Sequence, residues 1–166
     1  MKTTLELYEI DEIFCEKLSK IDKKVVNCSG EKNRRPFVGI LIKVKNKNYF
    51  APLSSPKTKH KNMKTNMDFM KIDRGELGVI NFNNMIPVEL KFIRKIDPEQ
   101  LPQETDEEMK YKNMLCKQLS WINETKNKFR IILKATKLRE KFINSSLPEN
   151  IKNRCVDFVL LENVNI

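Results

Sequence analysis

The chain is short of nearly everything that marks a metal or cofactor enzyme. It has one histidine and four cysteines, and Cys15, Cys28, Cys116 and Cys155 are scattered with no CxxC pair. Structural zinc draws on clustered Cys and His ligands, so no zinc site is expected, and the thiols read as buried or incidental rather than bridged. The sequence has no GxGxxG, no P-loop and no GxSxG elbow, which leaves dinucleotide binding, nucleotide hydrolysis and an ordinary serine hydrolase unsupported. No apolar run approaches the roughly 20 residues of a membrane-spanning helix, and Met1 to Glu6 lack the apolar core of a signal peptide. The expectation is a cytoplasmic protein that needs no cofactor and has no membrane partner.

What is abundant is positive charge. The 166 residues carry a formal net charge of +10 with 40% hydrophobic content, enough apolar material for one domain with a real core. Such an excess points to an anionic partner, nucleic acid first. The bland alternative is that lysine richness beside many Asn and Ile residues reflects an AT-rich genome.

Periodicity divides the chain into a strand-rich part and a helical part. Thr3 to Tyr8 alternates as a strand, and Asp11 caps a helix whose apolar side carries Ile13, Phe14, Leu18 and Ile21. Asn27 to Arg35 reads as a loop. Phe37 to Val44 and Tyr49 to Leu53 form a hairpin about a turn at Asn46-Lys47-Asn48. Phe69 to Ile72, Leu77 to Phe82, Met85 to Val88 and Leu90 to Ile96 follow as short strands, which suggests a small, curved, barrel-like antiparallel sheet. Thr105 with Glu108 forms a capping box for a helix with Tyr111, Leu115, Leu119 and Ile122 on its inner face. A second helix, from about Asn127 to Ile143, carries Phe129, Ile132, Leu133, Leu138 and Phe142. Ser146 with Glu149 caps a short third one, and the end, Phe158 to Leu161, is apolar. The expected class is α+β in a single domain, 1–166.

The strongest candidate site is Tyr49-Phe50-Ala51-Pro52-Leu53-Ser54-Ser55-Pro56-Lys57-Thr58-Lys59-His60, where a strand runs straight into hydroxyls, a Pro-stiffened turn and cations. Pro56 fixes its own φ and biases Ser55 to extended backbone. Hydroxyl donors and fixed cations suit a phosphodiester whose charge grows during displacement. Lys57 would stabilise a phosphorane, Ser54 and Ser55 would hydrogen-bond its oxygens, and His60 has an ordinary pKa suited to acid or base work. A lone histidine on a loop also serves simply for packing, and Ser55 with Lys57 as a Ser–Lys hydrolase is the rival chemistry. Lys59, Lys61, Asn62 and Lys64 extend the polar surface. Tyr111, Lys112 and Lys117 on the first long helix, and Tyr8 as a stacking platform, are candidate RNA contacts.

These residues resemble a known family. YFAPLSSPKTKH (Tyr49 to His60), GVINFNNMIPV (Gly78 to Val88), YKNMLCKQLSWI (Tyr111 to Ile122), LYEID (Leu7 to Asp11) and RRPFVGI (Arg34 to Ile40) are similar, in order and spacing, to the ToxN/AbiQ endoribonuclease toxins of type III toxin–antitoxin systems, including their CptN branch. After about Phe129 the match is looser. The resemblance implies a compact, twisted SH3-like barrel of the MazF/Kid type elaborated by helices. It implies metal-independent cleavage of cellular or phage RNA to 2′,3′-cyclic phosphate and 5′-hydroxyl ends. It also implies processing of, and inhibition by, a repetitive pseudoknot RNA antitoxin in a closed protein–RNA assembly that serves phage defence. Ser55 and Lys57 match the family's active-site serine and lysine. Ser54 stands where threonine is common, Arg35 where a lysine lines the RNA groove, and Phe14 where another member has tyrosine. A non-catalytic RNA- or DNA-binding module and a basic protein–protein adaptor are the competing readings of the charge.

Overall fold

The structure is a computed structural model that describes residues 3–28 and 35–166, with only the backbone of Leu41. Most of the expected loop after Asn27, and Arg34 of the RRPFVGI motif, lie outside the described residues.

Seven strands, β1 (Leu7–Ile10), β2 (Phe37–Val44), β3 (Lys47–Ser54), β4 (Phe69–Lys71), β5 (Val79–Asn81), β6 (Ile86–Glu89) and β7 (Ile93–Ile96), make an antiparallel sheet. Its order is β4-β5-β3-β2-β1-β7, with β6 also pairing β3. β3 is the organiser. One edge follows β2 from Val44↔Lys47 to Phe37↔Pro52, while the other meets β6 at Lys47 to Phe50 and then β5 at Leu53 and Ser54. A single strand shared among three neighbours must bend and twist. The result is a strongly curved sheet that stays open, since β4 and β7 end the path without pairing with each other. The α+β class is met, but the closed barrel suggested by the short strands is not.

Six helices accompany the sheet: α1 (Glu12–Ile21), α2 (Thr58–Asn62), α3 (Asp106–Asn123), α4 (Thr125–Ile143), α5 (Glu149–Lys152) and α6 (Phe158–Glu162). Caps explain their starts. Asp11 accepts from the Phe14 amide (2.8 Å), and Thr105 and Glu108 close a reciprocal capping box. Sequence periodicity misjudged several faces. Ile13, Phe129 and Leu133 point outward, while Cys15, Gln118, Ile131 and Ala135 take the inner positions. The Ser146 cap is replaced by Pro148, which has no side chain to offer. The hairpin turn falls at Lys45-Asn46, where Lys45 takes φ +56, so Lys47 already belongs to β3.

Two part-buried ion pairs tie the helical part to the strand-rich part. Glu162 on α6 accepts from the Tyr49 hydroxyl (2.5 Å) and from Arg139 Nε (2.7 Å), while Lys47 Nζ caps the α6 carbonyls of Leu161 and Glu162. Asp68 takes Arg154 bidentately at 2.9 and 3.0 Å. Cys15 and Cys28 are joined as a disulfide, Cα atoms 6.0 Å apart, which corrects the expectation of separate thiols. The chain turns after α1 through Val25 N–H to Asp22 O (3.1 Å), and buried Val25 carries Cys28 back over the helix. Cys116 and Cys155 are free.

Candidate active site

The bend after β3 is where the sequence placed its chemistry, and the structure shows what shapes it. Ser54 closes β3 opposite Val79, and its Oγ accepts from Asn81 Nδ2 at 2.8 Å. That accepted bond leaves the Ser54 hydroxyl proton available to donate. Ser55, Pro56 and Lys57 follow as exposed irregular chain, with Lys57 extended (φ −134, ψ 150). The basic segment expected as a loop then winds into α2. Lys57 is its N-cap residue, and its amide donates to Nδ1 of His60 (3.2 Å) one turn on.

This bond decides the state of the histidine. Nδ1 is an acceptor, so the neutral imidazole carries its proton on Nε2. The ring is 3% exposed. Burial first, then Lys59 and Lys57, hold its pKa below the ordinary value. His60 therefore keeps the turn in shape from beneath, while Lys57 and Lys59 stand on the surface.

The segment Asp73–Gly78 supplies the mould. A Cβ on Gly78 would lie 1.9 Å from the Ser54 carbonyl oxygen, and one on Gly75 would lie 2.8 Å from that of His60. Both glycines have positive φ, +92 and +93. The two ends of the bend are thus held by backbone that only glycine allows to approach so closely. Gln118 Nε2 on α3 fixes the same segment through the Leu77 carbonyl (2.8 Å), and Lys61 Nζ reaches Glu76 (3.1 Å). Asn81, Gly75, Gly78 and Gln118 escaped the sequence reading. Gly78 and Asn81 lie within the GVINFNNMIPV motif, so the motif was visible although its role was not.

The remaining candidates divide by place. Tyr8 pairs with Phe37, itself paired with Pro52, and its half-buried ring packs against Gly39 and edge-on to Phe50 (5.2 Å). Alternation puts Tyr8, Phe50, Pro52 and Ser54 on one sheet face. Continuing the β2–β3 register sets Arg35 opposite Ser54, beside the Leu53 N–H to Pro36 O bond (2.9 Å). Arg35 is half-buried, burial lowers its pKa, and it lines a groove of about 300 Å³ with Glu9, Lys91 and Arg94. Lys61 and Asn62 are exposed on α2. Lys117 lies on α3 beside Glu76 and Trp121. Lys112 is occupied elsewhere, its Nζ donating to Glu99 O (2.9 Å) and Gln103 Oε1 (3.3 Å), and Tyr111 precedes it on α3. Among the described residues no three His, Cys, Asp or Glu side chains converge as metal ligands, and no helix is long and apolar enough to cross a membrane.

Comparison with known proteins shows the family. Residues 6–165 match the family model for toxin ToxN of type III toxin–antitoxin systems. The endoribonuclease ToxN of Bacillus thuringiensis subsp. kurstaki is 30% identical over 97% of this chain and 82% of its own length. That of Pectobacterium atrosepticum is 31% identical over 95% and 90%. A solved type III toxin structure, from work on selective toxin inhibition by a non-coding RNA pseudoknot, superposes with a TM-score of 0.78 at 28% identity, covering 96% of this chain and 95% of that one. The chain belongs to the ToxN toxin family of type III toxin–antitoxin systems.

Proposed function

We propose that this protein is an endoribonuclease toxin whose active site is the bend Ser54-Ser55-Pro56-Lys57. The observation that carries the reading is that this exposed bend is clamped from three sides, by Asn81 on Ser54, by the Gly78 backbone and by buried His60 under Lys57. A site held this firmly suits electrostatic stabilisation, which depends on groups that need no reorganisation during the reaction.

The step is attack by a ribose 2′-hydroxyl on the adjacent phosphorus. The 2′-oxygen–phosphorus bond forms as the phosphorus–5′-oxygen bond breaks; the 2′-hydroxyl proton is lost to water and the leaving 5′-oxygen takes one up from water, leaving a 2′,3′-cyclic phosphate and a 5′-hydroxyl. The Lys57 ammonium faces the charge that grows on the non-bridging oxygens, and the Ser54 and Ser55 hydroxyls donate to them. Ser55 and Lys57 are both exposed on the bend. His60 acts as a positioning residue, and Lys59, Asn62, Arg35 and Tyr8 flank the substrate path. The open sheet is a relative of the SH3-like MazF/Kid barrel, and its organising strand β3 delivers the site. A pseudoknot RNA antitoxin holds the toxin inactive in a closed protein–RNA assembly in the cytoplasm, where release serves phage defence.

Purified wild-type protein should cut single-stranded RNA, and Lys57→Ala should lower the rate by about 10²–10³-fold with the fold intact, since Lys57 is exposed. RNA binding without any scission would leave the non-catalytic module as the better reading.

A further inference from the structure

A second basic groove adjoins the bend. Lys61, Lys71, Arg74 and Arg130 line a cavity of about 380 Å³ whose lining also includes Asp73, with Trp121 as part of the wall, and Lys61 is paired from outside it by Glu76 (3.1 Å). Trp121 also lines the adjoining groove with Lys117 and Ser120, so its half-buried indole stands between the two. Arg74 is presented by an unusual backbone. Asp73 and Arg74 are consecutive non-glycine residues with φ +45 and +57, a conformation that costs roughly 1–2 kcal/mol per residue. Gly75, packed on the His60 carbonyl, holds that turn in place. The outcome is an Arg74 side chain 91% exposed, whose ion-pair contact among the described residues is Asp73 at 4.0 Å. The groove also starts at the active site. Lys61 lies on α2 one helical turn, about 6 Å, beyond Lys57, and Lys71 Nζ binds the Lys61 carbonyl (2.9 Å).

We propose that this groove is a single-stranded RNA subsite continuing the substrate path from Lys57, in which one base stacks on Trp121 while Lys61, Lys71, Arg74 and Arg130 hold the flanking phosphates. An indole beside several cations is what sequence-tolerant single-strand binding requires, aromatic stacking for the base and charge for the backbone. The inference rests on the nuclease reading and adds to it a group that sets which part of a long RNA reaches Ser55.

Trp121 is the only tryptophan in the chain, so tryptophan fluorescence reports on this one side chain, and the Arg74→Glu variant below tells this groove from its neighbour. Titrating full-length Lys57→Ala protein with a short oligoadenylate should quench it saturably and salt-sensitively, whereas an abasic phosphodiester of equal length should leave it unchanged. In cleavage by protein otherwise wild type, Trp121→Ala should raise KM by about tenfold, with Trp121→Phe restoring most of the loss. Arg74→Glu, at an exposed position that spares the fold, should weaken oligoadenylate binding in the quenching assay by a similar factor. Normal cleavage of the oligomer with unchanged fluorescence and an unaltered KM in Trp121→Ala would overturn the subsite and leave the nuclease standing. Quenching by a folded pseudoknot RNA but not by the oligomer would overturn the single-strand assignment. Quenching in a protein that cuts nothing would keep the subsite and remove the nuclease.

Discussion

At the scale of single residues, the proposed site is held in shape by residues set behind the exposed bend. Asn81→Ala removes the donor that orients the Ser54 Oγ. The bond is only half-buried and worth about 1 kcal/mol of stability, so the expected result is a cleavage rate about tenfold lower with a nearly unchanged Tm; equal rates in the two proteins would show that Ser54 needs no orientation. Gly78→Ala should be far worse. Its Cβ would sit 1.9 Å from the Ser54 carbonyl at φ +92, so a large loss of stability should appear in denaturant unfolding. A Gly39→Ala control would press on the Tyr8 ring at 2.8 Å and touch the Phe50 ring at 3.5 Å, side chains rather than backbone, and should be milder. His60 gives a pH dependence whose sign follows from its lowered pKa. The unfolded chain takes up the proton more readily than the folded one, so stability rises with pH. The contribution is complete above the ordinary value of 6.5 and is lost as the pH falls below it. His60→Gln, which keeps an acceptor but cannot titrate, should flatten that part of the Tm–pH curve.

At the scale of elements, the ties between strand and helix decide what was legible in the sequence. The hairpin, both long helices and the Thr105 capping box could be read directly, because local alternation and cap chemistry act over a few residues. The inner faces of α1, α3 and α4 could be read only in part: Phe14, Leu18, Leu115, Ile122 and Leu138 are buried as expected, while Cys15, Gln118, Ile131 and Ala135 were missed. Gln118 is buried because Leu77, 41 positions away, offers a carbonyl, and a count of apolar residues does not see such a partner. Ile13 and Phe129, apolar by type, stay exposed. The bend itself was legible in Ser54, Ser55 and Lys57, yet its clamp was not, since Gly75 and Gly78 become meaningful only when another backbone arrives. The Glu162 pair shows the same long-range dependence. Burial raises the carboxyl pKa, but hydrogen bonds from Arg139 and Tyr49 outweigh it and leave the pKa below its usual value. Glu162→Ala would strand Arg139 and free the Tyr49 hydroxyl, at an expected cost of about 3–5 kcal/mol in chemical denaturation. A change under about 1 kcal/mol would mean that the pair behaves as a surface salt bridge.

At the scale of the whole molecule, the net charge of +10 becomes a working part. Lys57, Lys59 and Lys61 lie on or beside the bend, Arg35 stands in register with Ser54, and Arg74 and Arg130 continue the charge toward α4. An RNA lying along that path releases counterions, and for a single strand each neutralised phosphate contributes about −0.7 to the slope of log affinity against log salt. Binding should therefore weaken steeply as salt rises, and each lysine removed from the path should reduce the slope. A salt-independent affinity would place the RNA elsewhere. The most direct measurement is to incubate the wild-type and Lys57→Ala proteins with one RNA in EDTA and identify the ends of any fragments. The account predicts 2′,3′-cyclic phosphate and 5′-hydroxyl ends from the wild type and intact RNA from the folded variant; undiminished cleavage by Lys57→Ala, or 5′-phosphate ends, would contradict it.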